Sequence, residues 1–233
     1  MFKTYSIILT LATLALLASC AQSPKGSDAT VTDAKDAVKA TAEATAYQLA
    51  ANSHVTWIGS APTKSHNGTI GITDGHIEVE GEKITGSFDI DMNAIDVLDL
   101  TDETGKGKLI GHLKNDDFFD VANHPTAKFE ITGVAPYTPA AGEDQTVAGI
   151  NHKISGNLTL RGTTKGIEFP AKVEITEGKV SAEAQFVIDR TQWNVSYNSE
   201  ASITEQLKDK VIHDKVSVGF KLEFAAKAAT ATM

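Results

Sequence analysis

Strict alternation of apolar and polar residues is the feature that most limits what this chain can fold into. Half-buried strands need a period of two, whereas helices repeat apolar residues every three or four positions. Ile84, Gly86, Phe88, Ile90 and Met92 share one phase, with Thr85, Ser87, Asp89, Asp91 and Asn93 in the other. Ile167, Phe169, Ala171, Val173 and Ile175 alternate with Glu168, Lys172 and Glu174. Val180, Ala182, Ala184, Phe186 and Ile188, and then Val216, Val218, Phe220, Leu222 and Phe224, repeat the pattern. Shorter runs stand at 55–57, 70–72, 77–79, 129–131 and 154–160. Turn signals separate several of them, namely Thr73-Asp74-Gly75, Glu80-Gly81-Glu82 and Thr176-Glu177-Gly178.

About eight or nine one-sided strands joined by short turns predict an all-β chain built on an antiparallel sheet with one dry face. Such a sheet must close into a barrel or fold into a sandwich to bury that face. The stretch 105–121 is the exception, because Leu109, Leu113 and the Phe118-Phe119 pair suit a short helix packed on the sheet. The alternation says nothing about whether the interior is full or hollow.

Charge and cysteine usage narrow the function. The 233 residues carry 21 basic and 30 acidic side chains, a net charge of −9. A nucleic-acid partner is excluded on that balance, since binding phosphates needs a basic face. A single cysteine leaves no disulfide framework and no zinc site of paired thiolates.

That cysteine has a setting of its own. Met1-Phe2-Lys3 gives a positive start, and residues 7–17 form an apolar run too short to span a bilayer. The run ends in Leu17-Ala18-Ser19-Cys20, which resembles the lipobox of bacterial lipoproteins. The resemblance implies cleavage of a signal peptide, residues 1–19, and lipidation of Cys20. The mature chain would keep 20 basic against 30 acidic residues, a charge of −10. Residues 20–47, rich in Ala, Thr, Asp and Lys, read as a flexible tether or a weak alanine-rich helix over 33–46. A domain over 48–225 and a disordered tail over 226–233 complete the expected organisation.

No catalytic or metal signature stands out. Histidines at 54, 66, 76, 112, 124, 152 and 213 form no cluster with metal spacing. Asp89-x-Asp91-x-Asn93 has the opening of a calcium loop, but Ala94 replaces the glycine that loop needs. Gly105-Lys106-Gly107-Lys108 lacks the spacing and hydroxyl of a phosphate loop. There is no Gly-x-Ser-x-Gly elbow.

An ordered series of motifs adds what periodicity cannot. Ser65-His66-Asn67-Gly68 is followed by Asp117-Phe118-Phe119-Asp120 and His124-Pro125-Thr126-Ala127-Lys128-Phe129. Gly156-Asn157-Leu158-Thr159-Leu160-Arg161-Gly162-Thr163-Thr164-Lys165 comes next, with Phe169-Pro170 behind it. Phe186-Val187-Ile188-Asp189-Arg190 then leads into Trp193-Asn194-Val195 and Tyr197. Over about 48–224 the series resembles the YceI-like family, the polyisoprenoid-binding, lipocalin-like proteins of bacterial envelopes.

The resemblance implies an extended antiparallel eight-stranded lipocalin-like barrel, with a short helix packed on it and a long apolar tunnel inside. It also implies an isoprenoid chain, such as a quinone tail, in that tunnel, and no other cofactor. The inward phase supplies Val55, Trp57, Ile72, Phe88, Ile90, Phe129, Ile131, Leu158, Leu160, Phe169, Phe186, Ile188, Phe220 and Leu222 as lining candidates. Trp193 and Tyr197, taken as one strand phase, are candidates for the rim. Arg161 and Arg190 are candidates to meet a lipid head group, with structural pairing as the alternative role. Gly68 and Gly162 suit positive-φ turns, and Pro125 and Pro170 suit strand edges.

The expected function is that of a non-enzymatic lipid carrier held by Cys20 at the bacterial envelope, most simply the outer membrane. Oligomeric state stays open, a homodimer included. Two other readings remain: a lipid-acting enzyme with His66 or His124 beside a carboxylate, and a structural lipoprotein with a solid barrel.

Overall fold

The alternating runs pair into one continuous sheet in the computed structural model, which describes residues 24–143, 146–204 and 209–227. In chain order its strands begin with β1 (Ser27–Asp28), β2 (Thr30–Thr32), β3 (Thr45–Leu49) and β4 (His54–Ala61). Next come β5 (Lys64–Glu80), β6 (Lys83–Val97), helix α1 (Lys106–Lys114), β7 (Thr126–Pro136) and β8 (His152–Leu160). The chain ends with β9 (Thr163–Thr176), β10 (Lys179–Asp189), a 3-10 helix (Arg190–Trp193) and β11 (Lys215–Ala226). From β5 to β11 each strand pairs antiparallel with the next. β3 and β4 lie end to end between β11 and β5 and act as one broken strand, which closes an eight-stranded barrel. Turn chemistry sets the hairpins. The two residues between β8 and β9, Arg161 (φ 47°) and Gly162 (φ 71°), both take the positive φ that a tight twisted hairpin requires.

β5 runs straight through Thr73-Asp74-Gly75, where the sequence predicts a turn. The register slips between Ile72 and Asp74, leaving Thr73 as the extra residue of a bulge. That bulge moves the inward phase from Ile70 and Ile72 to Ile77 and Val79. Asp74 Oδ1, which a turn would have used, instead accepts from the Gly75 N–H (2.8 Å) and Gln48 Nε2 (3.0 Å). Gly68 is likewise not a turn glycine. It lies within β5, where a Cβ would collide with the Asp96 carbonyl and the Trp57 ring.

Over 24–47, the described part of the expected tether, the chain pairs with edges of the sheet. β9 and β10 pair directly only over Lys172–Thr176 and Lys179–Glu183, and beyond that they splay apart. Pro170, which has no N–H to give, stands two residues beyond the end of the paired stretch at Lys172. β1 adds in parallel to β10 at Phe186 and Val187, and β2 adds antiparallel to β9 at residues 166–168. Asn157, on the outer face of β8, is only 8% exposed because the same segment crosses it. It accepts from the Lys35 N–H (3.0 Å) and donates to the Lys35 carbonyl (2.6 Å). Composition reports apolar burial, and this segment is held mainly by hydrogen bonds to open sheet edges. No helix forms over 33–46. The expected signal 1–19, the expected lipidation site Cys20 and residues 228–233 lie outside the described residues.

Candidate functional site

The barrel interior divides into a full half and a hollow half. Phe88, Phe129, Phe169, Phe186 and Phe220, one each from β6, β7, β9, β10 and β11, form a layer across the bore. Phe169 stacks on Phe186 with centroids 4.0 Å apart and meets Phe220 edge-on at 5.5 Å. None of these five lining candidates borders the cavity; they pack ring against ring in the core. Ile131 packs against the core at β7 and Leu222 is buried on β11, both outside the cavity, and so is Ile72.

On the other side of that layer a cavity of about 450 Å³ opens toward α1 and the segment after the 3-10 helix. Val55, Trp57, Ile90, Leu158, Leu160, Ile188 and Tyr197 line it, as the inward phase and the expected rim place them. Ile70, Met92, Ile95, Ala127, Val216 and Val218 join them from the strands. Met92, Val216 and Val218 were legible in phase, but the bulges in β5 and β6 hid Ile95. Leu109, His112, Leu113, Phe118 and Phe119 roof the cavity from α1 and the turn behind it. Lys106 bonds Asp96 (2.8 Å) and Lys114 Nζ donates to the Asn93 carbonyl (2.7 Å), which fastens both ends of the helix to β6. Ile212, from the long connection before β11, had no signal in the sequence.

Both arginine candidates turn out to be committed to backbone. Arg190 borders the cavity and is only 3% exposed. Its guanidinium donates to the carbonyls of Val195 (2.6 Å), Ile212 (2.8 Å) and His213 (3.2 Å), with Asp214 Oδ1 at 3.4 Å. Burial pushes the guanidinium pKa down, against the pull of Asp214, Asp189 and Glu200. Each of its three nitrogens is bonded to a carbonyl, so it braces the cavity wall. Arg161 is half-buried, lies outside the cavity, and donates to the carbonyls of Asn194 and Asp116. It ties the β8–β9 hairpin to the turn after α1.

The expected Trp193–Tyr197 rim separates for a local reason. Asp189 Oδ1 accepts from the Thr191 N–H (2.9 Å) and hydroxyl (2.6 Å), ending the strand and starting the 3-10 helix. Trp193 thereby turns inward, fully buried, and its Nε1 donates to the Leu158 carbonyl (3.0 Å). Tyr197 alone reaches the rim, 37% exposed.

Ser60, Lys64, His66, Asn198, Asp209 and Lys210 bring polar groups to the border of the cavity. His66 Nδ1 lies 2.8 Å from Asp99 Oδ2, and Asp99 Oδ1 accepts from the Asn67 N–H (2.9 Å). Burial raises the Asp99 carboxyl, but those two partners outweigh it and hold its pKa below the usual range. His124 is 3.9 Å from Asp120 and packs by Gly162, away from the cavity. Among the described residues no group of three or more His, Cys, Asp or Glu could hold a metal ion.

Comparison with known proteins places this architecture. The YceI-like domain pattern matches residues 47–224. The chain belongs to the YceI-like family. Within the curated proteins, the YceI-like domain is 43% identical to a UPF0312 protein of Azotobacter vinelandii over 68 residues, 29% of this chain and 30% of that protein. The match therefore spans less than a third of that relative's length. Of the solved structures, BcnA of Burkholderia cenocepacia superposes with a TM-score of 0.52 at 20% identity, covering 74% of this chain and 96% of that one. A polyisoprenoid-binding domain from Saccharophagus degradans, implicated in plant cell wall breakdown, gives 0.53 at 19% identity, with 78% and 99% covered. At those identities the likeness establishes the YceI-like fold.

Proposed function

We propose that this YceI-like protein binds an isoprenoid lipid in the cavity between the aromatic layer and α1, and carries or shields it beside an envelope membrane. One observation carries the reading: a closed barrel keeps about 450 Å³ of mostly apolar space under α1, apart from its core of stacked phenylalanines. A cavity of that size lies in the range of small-molecule sites. At ~30 Å³ per carbon-sized group, it accommodates about 15 carbons, or three isoprene units. A longer chain would leave its remainder outside the mouth. Each buried CH₂ contributes about 0.8 kcal/mol, so three units suffice for stable binding after the entropy of association. The polyisoprenoid binding attributed to the Saccharophagus degradans relative supports the choice of lipid.

Anchoring through acyl chains on Cys20, with the outer membrane as destination, completes the proposal. With β1 on the barrel wall, seven residue steps separate Cys20 from Ser27, at most about 25 Å of extended chain. The barrel would therefore be held against the bilayer and would have no long tether to roam on. Lipidation predicts that Cys20→Ser moves the protein from the membrane fraction to the soluble one.

The test of binding is mass spectrometry of solvent extracts from full-length protein purified from bacterial membranes. An isoprenoid lipid near one per chain is expected; detergent or nothing, with side chains filling the cavity, would overturn the reading. The His66–Asp99 pair is the observation that favours acid–base chemistry as a second reading. That reading requires His66→Ala to stop conversion of a bound lipid, whereas a carrier binds and releases it unchanged.

A further inference from the structure

The splay of β9 from β10 leaves a window in the barrel wall. Below it the two strands pair directly up to Lys172 and Glu183. Above it Trp193 Nε1 donates to the Leu158 carbonyl, and Asn194 Nδ2 donates to the Thr163 hydroxyl (2.8 Å). Residues 25–35 cross the window as a strap. β1 follows β10, the Ala29 N–H donates to the Val187 carbonyl (2.8 Å), and β2 then changes over to β9 with Val31 opposite Ile167.

The strap sits in a fitted slot. Gly26, at φ 103°, lies so near β10 that a Cβ would stand 2.5 Å from the Gln185 carbonyl oxygen. A Cβ on Gly166 would stand 2.5 Å from Thr32 Oγ1 and 2.6 Å from the Asp33 carbonyl oxygen. Ser217, fully buried, donates to the Lys25 carbonyl, and Asn157 holds the other end through Lys35. Little apolar surface secures the fit, however. Ala29 and Val31 pack against the core and are both half-buried. The ion pairs of Asp28 with Lys215 and Asp33 with Lys165 lie at the surface, where such pairs contribute little. A segment held mainly by hydrogen bonds along two strand edges opens at lower cost than the strands around it.

Behind the window the wall is apolar. Ile167 and Phe169 on the β9 side and Phe186 and Ile188 on the β10 side are buried, and Ile188 lines the cavity. The mouth differs, because Lys64, His66, Asp209 and Lys210 border the cavity there. The roof is also tied down, by Lys106 to Asp96, by Lys114 to the Asn93 carbonyl and by the three carbonyl bonds of Arg190. A hydrocarbon chain meets charged groups at the mouth and apolar side chains at the window.

We infer that residues 25–35 are a displaceable strap, and that the window beneath them is a lateral portal through which a lipid passes between a bilayer and the cavity. The inference rests on the cavity being a lipid site, and goes beyond it by naming the route and the part that moves. An anchor at Cys20, a few residues before the strap, would set the window against the membrane.

A reversible lock tests this. Thr30 and Glu168 are opposed in the β2–β9 register, and opposed residues of an antiparallel pair stand about 4.5–5.5 Å apart between Cα atoms, within reach of a disulfide. In the full chain carrying Cys20→Ser, Thr30→Cys combined with Glu168→Cys locks the strap when oxidised and frees it when reduced. Uptake of a quinone with a three-unit isoprenoid tail from phosphatidylcholine vesicles is read by quenching of Trp57, which lines the cavity. Oxidation should slow uptake by about ten-fold or more without changing the amount bound at equilibrium, and reduction should restore the wild-type rate. Asn157→Ala, which frees the strap at Lys35, should speed uptake about three- to ten-fold. Equal rates in the oxidised and reduced forms overturn the portal while leaving the lipid site intact. Absence of quenching in every form, wild type included, overturns the site itself. If the cysteine pair does not form its disulfide, Asn157→Ala decides, and an unchanged rate overturns the inference.

Discussion

Phe220→Ala probes the floor of the cavity and with it the claim that the aromatic layer limits ligand length. Phe220 follows the cavity-lining Val218 in the inward phase of β11. It meets Phe88 at 6.2 Å, Phe169 at 5.5 Å and Phe186 at 6.1 Å between ring centroids. Removing its ring opens a hole of roughly 100 Å³, which at about 24 cal/mol per Å³ costs ~2.4 kcal/mol. The lost edge-on contacts bring the total to about 3–5 kcal/mol, the usual range for a buried Phe→Ala change. Val218, one inward step away, lines the cavity, so the hole is expected to open into it and to admit a longer chain by about three carbons at ~30 Å³ each. Urea unfolding reads the first effect, and competition among isoprenoid alcohols of increasing length reads the second. A folded variant whose length optimum stays at fifteen carbons, or one destabilised by less than about 1 kcal/mol, would refute the division into full and hollow halves.

Three other outcomes follow from the same contacts. Asn157→Ala removes both side-chain bonds to Lys35 and should cost about 1–3 kcal/mol, with faster amide exchange across residues 27–35 and little change in the core of β10 and β11. Gly68→Ala drives a methyl into the Asp96 carbonyl and the Trp57 ring, so its melting temperature should fall and its indole fluorescence shift, while Gly107→Ala, in α1 with open space at its Cβ, should raise the melting temperature slightly and leave the fluorescence unchanged. Acid should loosen the mouth before the floor. The Lys106 bond lowers the Asp96 pKa, and hydrogen bonds from Asn67 and His66 outweigh burial to lower that of Asp99. Carboxyls with depressed folded-state values add stability at neutral pH and lose it as pH falls through those values. Chemical shifts of α1 and residues 96–106 should therefore respond to acid at a higher pH than those of the phenylalanine layer.

Alternation made the barrel legible because one dry face imposes a period of two whatever lies beyond it. It also put Phe88, Phe129, Phe169, Phe186 and Phe220 indoors. Which indoor residues fill the bore and which surround space depends on how far along its strand each stands. Register decides that, and register depends on partners far away in sequence. Two bulges, at Thr73 and between Asp91 and Ile95, shift the phase through local hydrogen bonds that hydropathy does not record. The strand phase of Trp193 broke for a reason that was present in the sequence: Asp189 two residues before Thr191 is a capping pair. The arginines were legible as structural or functional but not as which, since their partners are carbonyls and every residue has one. The edge-filling role of residues 27–32 was hidden because backbone pairing asks little of side chains.

The account turns on a single cavity that holds one short length of isoprenoid under α1. A crystal structure of the full-length protein purified from bacterial membranes without added lipid tests it most directly. Continuous density about three isoprene units long, lying between the barrel strands and the underside of α1, is the predicted result. Side chains collapsed into that space, or a lipid threaded through the aromatic layer to the other end of the barrel, would contradict it.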